Sequence, residues 1–341
     1  VYRTASGAPG HDYWQQNVDY EIDVRIDDQE QHLYGSEKIT YHNNSPDTLS
    51  YLWLQLDANI RRPDSHGSLA RTTDEFRELP FRRFRSLLES QVFEGGHRIT
   101  RCVQAITENE LPHTIVDTMM RVDLPAPLAP NESFSLIVDW NYAINNARVV
   151  RGRTGYEFFD DDGNHIYELA QWFPRLCAYT DYNAWQHKHF LGRGEFTLEF
   201  GNYLVRITVP EDHVVASTGS LLNPEQVLSA VQRERLQQAS STDKPVFIVT
   251  PEDAEKNESS RATDNRTWIF KADRVRDFAF ASSRKFIWDA MQCRAGESPV
   301  MAMSFYPKEG EPLWSRYSTH AIAHTLKVYS KYTFDYPYPV A

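Results

Sequence analysis

The chain of 341 residues carries 36 Lys and Arg against 47 Asp and Glu, a formal net charge of −11, which repels a phosphate backbone and argues against nucleic acid as a partner. Cys102, Cys177 and Cys293 are far apart and in no C-x-x-C spacing, so they indicate neither a disulfide framework nor a thiolate zinc site and read as free thiols. No apolar run approaches the roughly 20 residues that a membrane-crossing helix needs, so no membrane span is expected, and the length accommodates two domains.

Residues 1–12 form a lead that begins at Val1 and contains Ala5-Ser6-Gly7-Ala8-Pro9-Gly10. Removal of a signal peptide, and so an exported or periplasmic location, leaves such a lead, and so does loss of an unordered terminus. Strict alternation follows. Val18, Tyr20, Ile22, Val24 and Ile26 point one way while Asp19, Glu21, Asp23 and Arg25 point the other, the mark of a half-buried strand. Runs over 33–42 and 49–56 flank the turn formers Asn43-Asn44-Ser45-Pro46-Asp47, so the start reads as an antiparallel meander. Met120, Val122 and Leu124, then Phe134, Leu136, Val138, Trp140 and Tyr142, continue the alternation, and strands are expected again over 196–200, 203–209 and 214–217.

Helical signals come later. Asn223-Pro224-Glu225 has the order of an N-cap, a first-turn proline and a first-turn acid, which predicts a helix over 224–238. Residues 250–265 are polar and charged and read as an exposed excursion before a strand over 267–271. The character changes at Ala295-Gly296-Glu297-Ser298-Pro299, where a second domain is expected to begin. After it come a strand over 300–306 and a long helix over 312–332. Leu313, Tyr317, Ala321, His324 and Val328 share one face of that helix, and Trp314, Ile322, Leu326 and Tyr329 form a second stripe. A helix apolar on two sides expects neighbours on both. Only Asp335-Tyr336-Pro337-Tyr338-Pro339 and four more residues follow, so the second domain is expected to be cut short, leaving an apolar patch that promotes self-association.

Chemistry-bearing motifs are few. His320 and His324 have the i, i+4 spacing by which zinc peptidases present two imidazoles to one ion, but Ala321 stands where such a site needs Glu, and no third ligand follows; the pair reads as structural, with at least one imidazole packed among aromatics. Asp160-Asp161-Asp162-Gly163-Asn164 places Gly fourth, not sixth as in an EF-hand loop, and reads as a turn. Phe81-Arg82-Arg83-Phe84-Arg85 reads as a solvated helix face. There is no nucleophile elbow, phosphate loop or dinucleotide fingerprint.

The segment Tyr167-Glu168-Leu169-Ala170-Gln171-Trp172-Phe173-Pro174-Arg175-Leu176-Cys177, followed by Asp181-Tyr182-Asn183-Ala184-Trp185, resembles a stretch of the membrane-alanyl-aminopeptidase-type (gluzincin) zinc metallopeptidases. The likeness continues through Gly194-Glu195-Phe196 and residues 203–210 and 214–219. The opening hairpin at 33–43 and the Tyr-Pro element at 332–339 extend it over nearly the whole chain from Tyr13. The resemblance implies a mainly β fold: a saddle-shaped antiparallel β domain, residues 13–295, followed at 296–341 by the truncated start of an α+β thermolysin-like catalytic domain. It implies that the parent protein is a zinc aminopeptidase acting on peptides. The H-E-x-x-H helix of that family comes after the Tyr-Pro element, so this chain is expected to hold no catalytic residue and no metal, and to be inactive alone. One residue carries over. Gln171 matches the Gln that contacts the amino end of the bound peptide, where an amide carbonyl can accept from an ammonium without competing for zinc. The rival reading of the strands alone is a non-catalytic β-rich binding or adhesion module.

Overall fold

The computed structural model describes residues 1–70, 80–150, 152–192, 194 and 196–341. Strands hold 42% of the residues and helices 19%, so the chain is mainly β, with several antiparallel sheets, as expected. It divides into two compact units. The first is Val1–Tyr156, Leu169–Val205 and Asp273–Ala279, and the second is Glu157–Glu168, Arg206–Ala272 and Phe280–Ala341.

In the first unit the strands are β1 (Asn17–Asp27), β2 (His32–His42), β3 (Leu49–Gln55), β4 (Arg98–Gln104), β5 (His113–Val116), β6 (Met119–Leu128) and β7 (Ser133–Ala143). Within one sheet β1, β2, β7 and β4 run in that order, and a second sheet orders the short strand Arg175–Leu176, β3, β6 and β5. The alternation in β1 sets the register: Val18, Tyr20, Ile22, Val24 and Ile26 are all buried, opposite Tyr41, Ile39, Glu37, Gly35 and Leu33. Gly35 is required by close packing, since a Cβ there would lie 2.3 Å from the Trp140 ring on β7. The same register turns Glu37 inward with both carboxylate oxygens buried and without a hydrogen-bond partner. Burial pushes its pKa well up, so the carboxyl is held in its neutral form.

In the second unit Val246–Val249, Ile287–Ala295 and Ser298–Tyr306 form an antiparallel sheet. Gly296, the expected domain boundary, sits at φ +58 in the turn of the hairpin made by the last two strands. Residues 339–341 run beside the second of them, with Ala341 N–H donating to Met301 O at 3.0 Å and Met303 N–H to Ala341 O at 2.9 Å. The helix Leu313–Tyr332 packs Leu326 and Ile322 onto Ala295 and Val300. It is also held by polar bonds. Thr319 donates to Asp289 and has its Oγ1 2.8 Å from Ser304 Oγ, while Tyr306 OH donates to Asp289 at 2.6 Å. On the other face Leu313, Trp314 and Tyr317 are exposed.

Two helical expectations are corrected. The helix expected over 224–238 is two helices, Pro224–Val227 and Ala230–Ala239, broken where Leu228 is extended at φ −113 and ψ 142. Ser229 restarts it through a capping box with Gln232. Asn223 caps nothing: its amide bonds Thr267 O and Ile269 N–H instead. The polar stretch after Val249 is the helix Pro251–Ser260, initiated by a capping box between Thr250 and Asp253 that the reading of 250–265 as irregular overlooked. Residues 196–199 form no strand, and only Phe200 bridges to Asn17. The helix Phe81–Gln91 exposes Phe81 and Phe84 and pairs Arg85 with Glu89 at 2.7 Å, as a solvated face would.

Candidate functional site

Gln171 is half-buried and sits at φ +56, in the left-handed region that an L side chain seldom adopts. Such strain persists only where the surroundings over-determine it, and the residues after Gln171 do so. Trp172 and Phe173 are wholly buried. Trp172 Nε1–H donates to Phe278 O at 2.9 Å, and Phe173 packs edge-on against Tyr20 and Tyr203. The Trp172 carbonyl accepts from His97 Nε2 at 3.2 Å. Because a carbonyl only accepts, this contact assigns the proton to Nε2. Burial depresses the His97 pKa to about 3, so the ring is neutral.

Two residues further on, Arg175 is buried and donates to Asp57 Oδ2 from Nε at 3.2 Å and from Nη2 at 2.6 Å, with Nη1 on Asp277. Burial opposes its charge, but Asp57 and Asp277 more than offset that and raise its pKa. A paired buried guanidinium fixes the segment's position, since breaking such a pair leaves an uncompensated charge. The platform beneath Gln171 is therefore rigid, built from a tryptophan, a phenylalanine and an arginine within four positions of it. Glu195 of the resembling segment lies outside the described residues.

The histidine pair and the Asp run belong to the second unit. His320 and His324 are both exposed on the helix Leu313–Tyr332, which corrects the expectation that one would pack among aromatics. They do not fit a catalytic zinc: Ala321 cannot serve as base, and among the described residues no third donor joins them in one cluster. The Asp run turns the chain at Gly163, which has φ +68 and donates its N–H to Phe159 O at 2.8 Å. Its Asp162 carboxylate pairs with the buried Lys285, which also reaches Glu258 at 3.1 Å and Glu309 at 2.9 Å. All three cysteines are free.

One donor cluster was missed. His66, Asp117 and His189 offer ligand atoms that all lie within 4.8 Å of one another. They come from the start of the short helix His66–Leu69, the turn between β5 and β6, and the segment after the strand Ala184–Trp185. Only the His187-Lys188-His189 spacing hinted at it; the other two members are remote in sequence.

The fold thus belongs to the mainly β class with a helix-backed sheet in its second unit. No family model and no curated protein matches the sequence. Among solved structures the chain is similar to a mutant M1 zinc metallopeptidase from Deinococcus radiodurans bound to a Tyr-Ser-Ala substrate. The TM-score is 0.52 at 14% identity, over 96% of this chain and 55% of that one. It is similar also to a two-domain M1 zinc metallopeptidase mutant bound to L-tryptophan, with a TM-score of 0.52 at 14% identity over 98% and 57%. A third, the two-domain mutant bound to L-arginine, gives 0.51 at 15% identity over 96% and 55%. The chain has the fold of M1 zinc metallopeptidases and spans a little over half the length of these structures.

Proposed function

We propose that this chain is the amino-terminal part of a zinc aminopeptidase of the membrane-alanyl type, a hydrolase that removes residues from the amino end of peptides. The observation that carries the reading is the fold likeness to M1 zinc metallopeptidases over 96% of the chain. Zinc supplies the Lewis acid in such a hydrolase, and the ill-fitting His320 and His324 point to ligands from elsewhere in the longer protein. This chain alone is then inactive towards aminoacyl amides. The apolar face at Leu313, Trp314 and Tyr317 meets the remainder of the catalytic domain in the longer protein, and in the isolated chain it drives self-association, which light scattering would detect.

Gln171 is the residue of this chain that contacts substrate: its amide oxygen accepts from the peptide's ammonium, and the buried Trp172, Phe173 and Arg175 hold it in place. The test is turnover of aminoacyl anilides by the longer protein carrying Gln171→Ala or Gln171→Gly. Losing a hydrogen bond to a charged group costs about 1.5–3 kcal/mol, so both variants should lower kcat/KM roughly ten- to hundredfold with zinc content unchanged. Glycine accepts the left-handed backbone at no cost, whereas alanine retains its strain. Unaltered kinetics in both, with a lower Tm in Gln171→Ala alone, would show that Gln171 serves only the backbone turn.

A further inference from the structure

We infer that His66, Asp117 and His189 form a binding site for a divalent transition-metal ion of the zinc type, wholly within the first unit.

The carboxylate is the centre of the cluster. Asp117 has a side chain only 4% exposed, and its Oδ2 is buried without a hydrogen-bond partner. That atom faces His66 Nδ1 at 3.4 Å and His189 Nδ1 at 3.7 Å. Both separations exceed the roughly 2.7–2.9 Å of a charge-assisted hydrogen bond, and His189 Nδ1 is itself buried and unpartnered. Donors bound to zinc at about 2.0–2.2 Å in a tetrahedron stand about 3.4 Å apart. The two edges from Asp117 therefore have the spacing of ligands around an ion and lack that of partners bonded directly to one another. Two imidazoles and one carboxylate suit zinc, cobalt or nickel and disfavour calcium and magnesium, which take oxygen donors. His66 is 55% exposed, so solvent and ions can reach the cluster from that side.

The supporting contacts hold all three donors in place. Asp117 is at φ +51 in its turn, its Oδ1 accepts the His66 N–H at 3.2 Å, and its carbonyl accepts from Asn59 Nδ2 at 2.7 Å. Thr118 Oγ1 accepts the Phe190 N–H at 2.7 Å, which ties the His189 segment to the same turn. A Cβ on Gly67 would stand 2.8 Å from Ile60 Cγ1, so glycine lets the short helix pack closely against Ile60. Second contacts of this kind fix ligand orientation in metal sites. The bound ion clamps three segments remote in sequence. Asn59 also links the clamp towards the Gln171 platform, because its Oδ1 accepts the His97 N–H at 2.7 Å and His97 in turn holds the Trp172 carbonyl.

The test is a cobalt(II) titration of the full chain, freed of metal by chelation, followed by zinc competition and by thermal unfolding with and without zinc. One equivalent of cobalt with tetrahedral ligand-field absorption, displaced by zinc, is expected, together with a rise in Tm on zinc addition. His66→Ala and His189→Ala, both at partly exposed positions, should each weaken binding at least tenfold without unfolding the chain. Asp117→Asn, which tolerates the left-handed turn, should do the same. The double variant His320→Ala/His324→Ala should bind as the parent does. Absence of stoichiometric binding, binding that survives both single histidine variants, or binding lost only in the double variant would each overturn the assignment.

Discussion

Replacing Glu199 by Gln should stabilise the protein, and by an amount that depends on pH. Glu199 is 8% exposed, and its Oε1 accepts the Tyr179 N–H at 3.1 Å. Burial pushes its pKa from 4.5 to about 7, with Tyr179 N–H and the Arg276 charge pulling the other way. Near pH 4 the carboxyl is protonated in both folded and unfolded chains, so the native state carries no ionisation penalty. As pH rises through the window from 4.5 to about 7, the unfolded chain releases its proton while the folded chain keeps it. Stability then falls by about 1.4 kcal/mol per pH unit, reaching a loss of about 3 kcal/mol near pH 8. Gln retains the acceptor for Tyr179 and cannot ionise. Urea unfolding of parent and Glu199→Gln between about pH 4 and pH 8 should show the variant gaining about 3 kcal/mol relative to the parent across that range. Every other titrating group is common to both proteins and cancels in the difference. A difference constant within about 0.5 kcal/mol over the whole range would refute the reasoning, because it would mean that water reaches the carboxylate in the folded state.

His97 acts at the acidic end. Its folded pKa of about 3 lies below the ordinary imidazole value of 6.5, so its contribution is fully present above 6.5 and is lost as pH falls towards 3. At about pH 4.5 the loss is about 2.5 kcal/mol, and His97→Gln, which keeps a donor for Trp172 O, should flatten that part of the urea-midpoint profile. In the second unit, Thr319→Val keeps the shape of the side chain but leaves the buried Asp289 with one donor fewer. A loss of about 1–3 kcal/mol is expected, with Thr319→Ser recovering most of it in thermal unfolding.

Much of this protein was legible in local pattern. The period-two alternation of β1, β6 and β7 can be read because burial on one face imposes a spacing on neighbouring residues. The capping boxes Ser229–Gln232 and Thr250–Asp253 were equally local, and overlooking them cost a helix break and a whole helix. The Trp172-Phe173-Pro174-Arg175 segment marked Gln171 without showing why it is held. That answer required Asp57, His97, Asp277 and Phe278, none of them near it in the chain.

Sequence by itself determined most of the strands, the buried face of β1 and β7 and the extent of the long helix, because those depend on periodicity and on contacts a few residues long. Only the tertiary structure decided that Glu37 points into the core, that Thr319 as well as Leu326 docks the long helix, and that His66, Asp117 and His189 share one point in space. Each of these follows from register and chain crossing, which bring together residues whose separation along the chain carries no periodic signal.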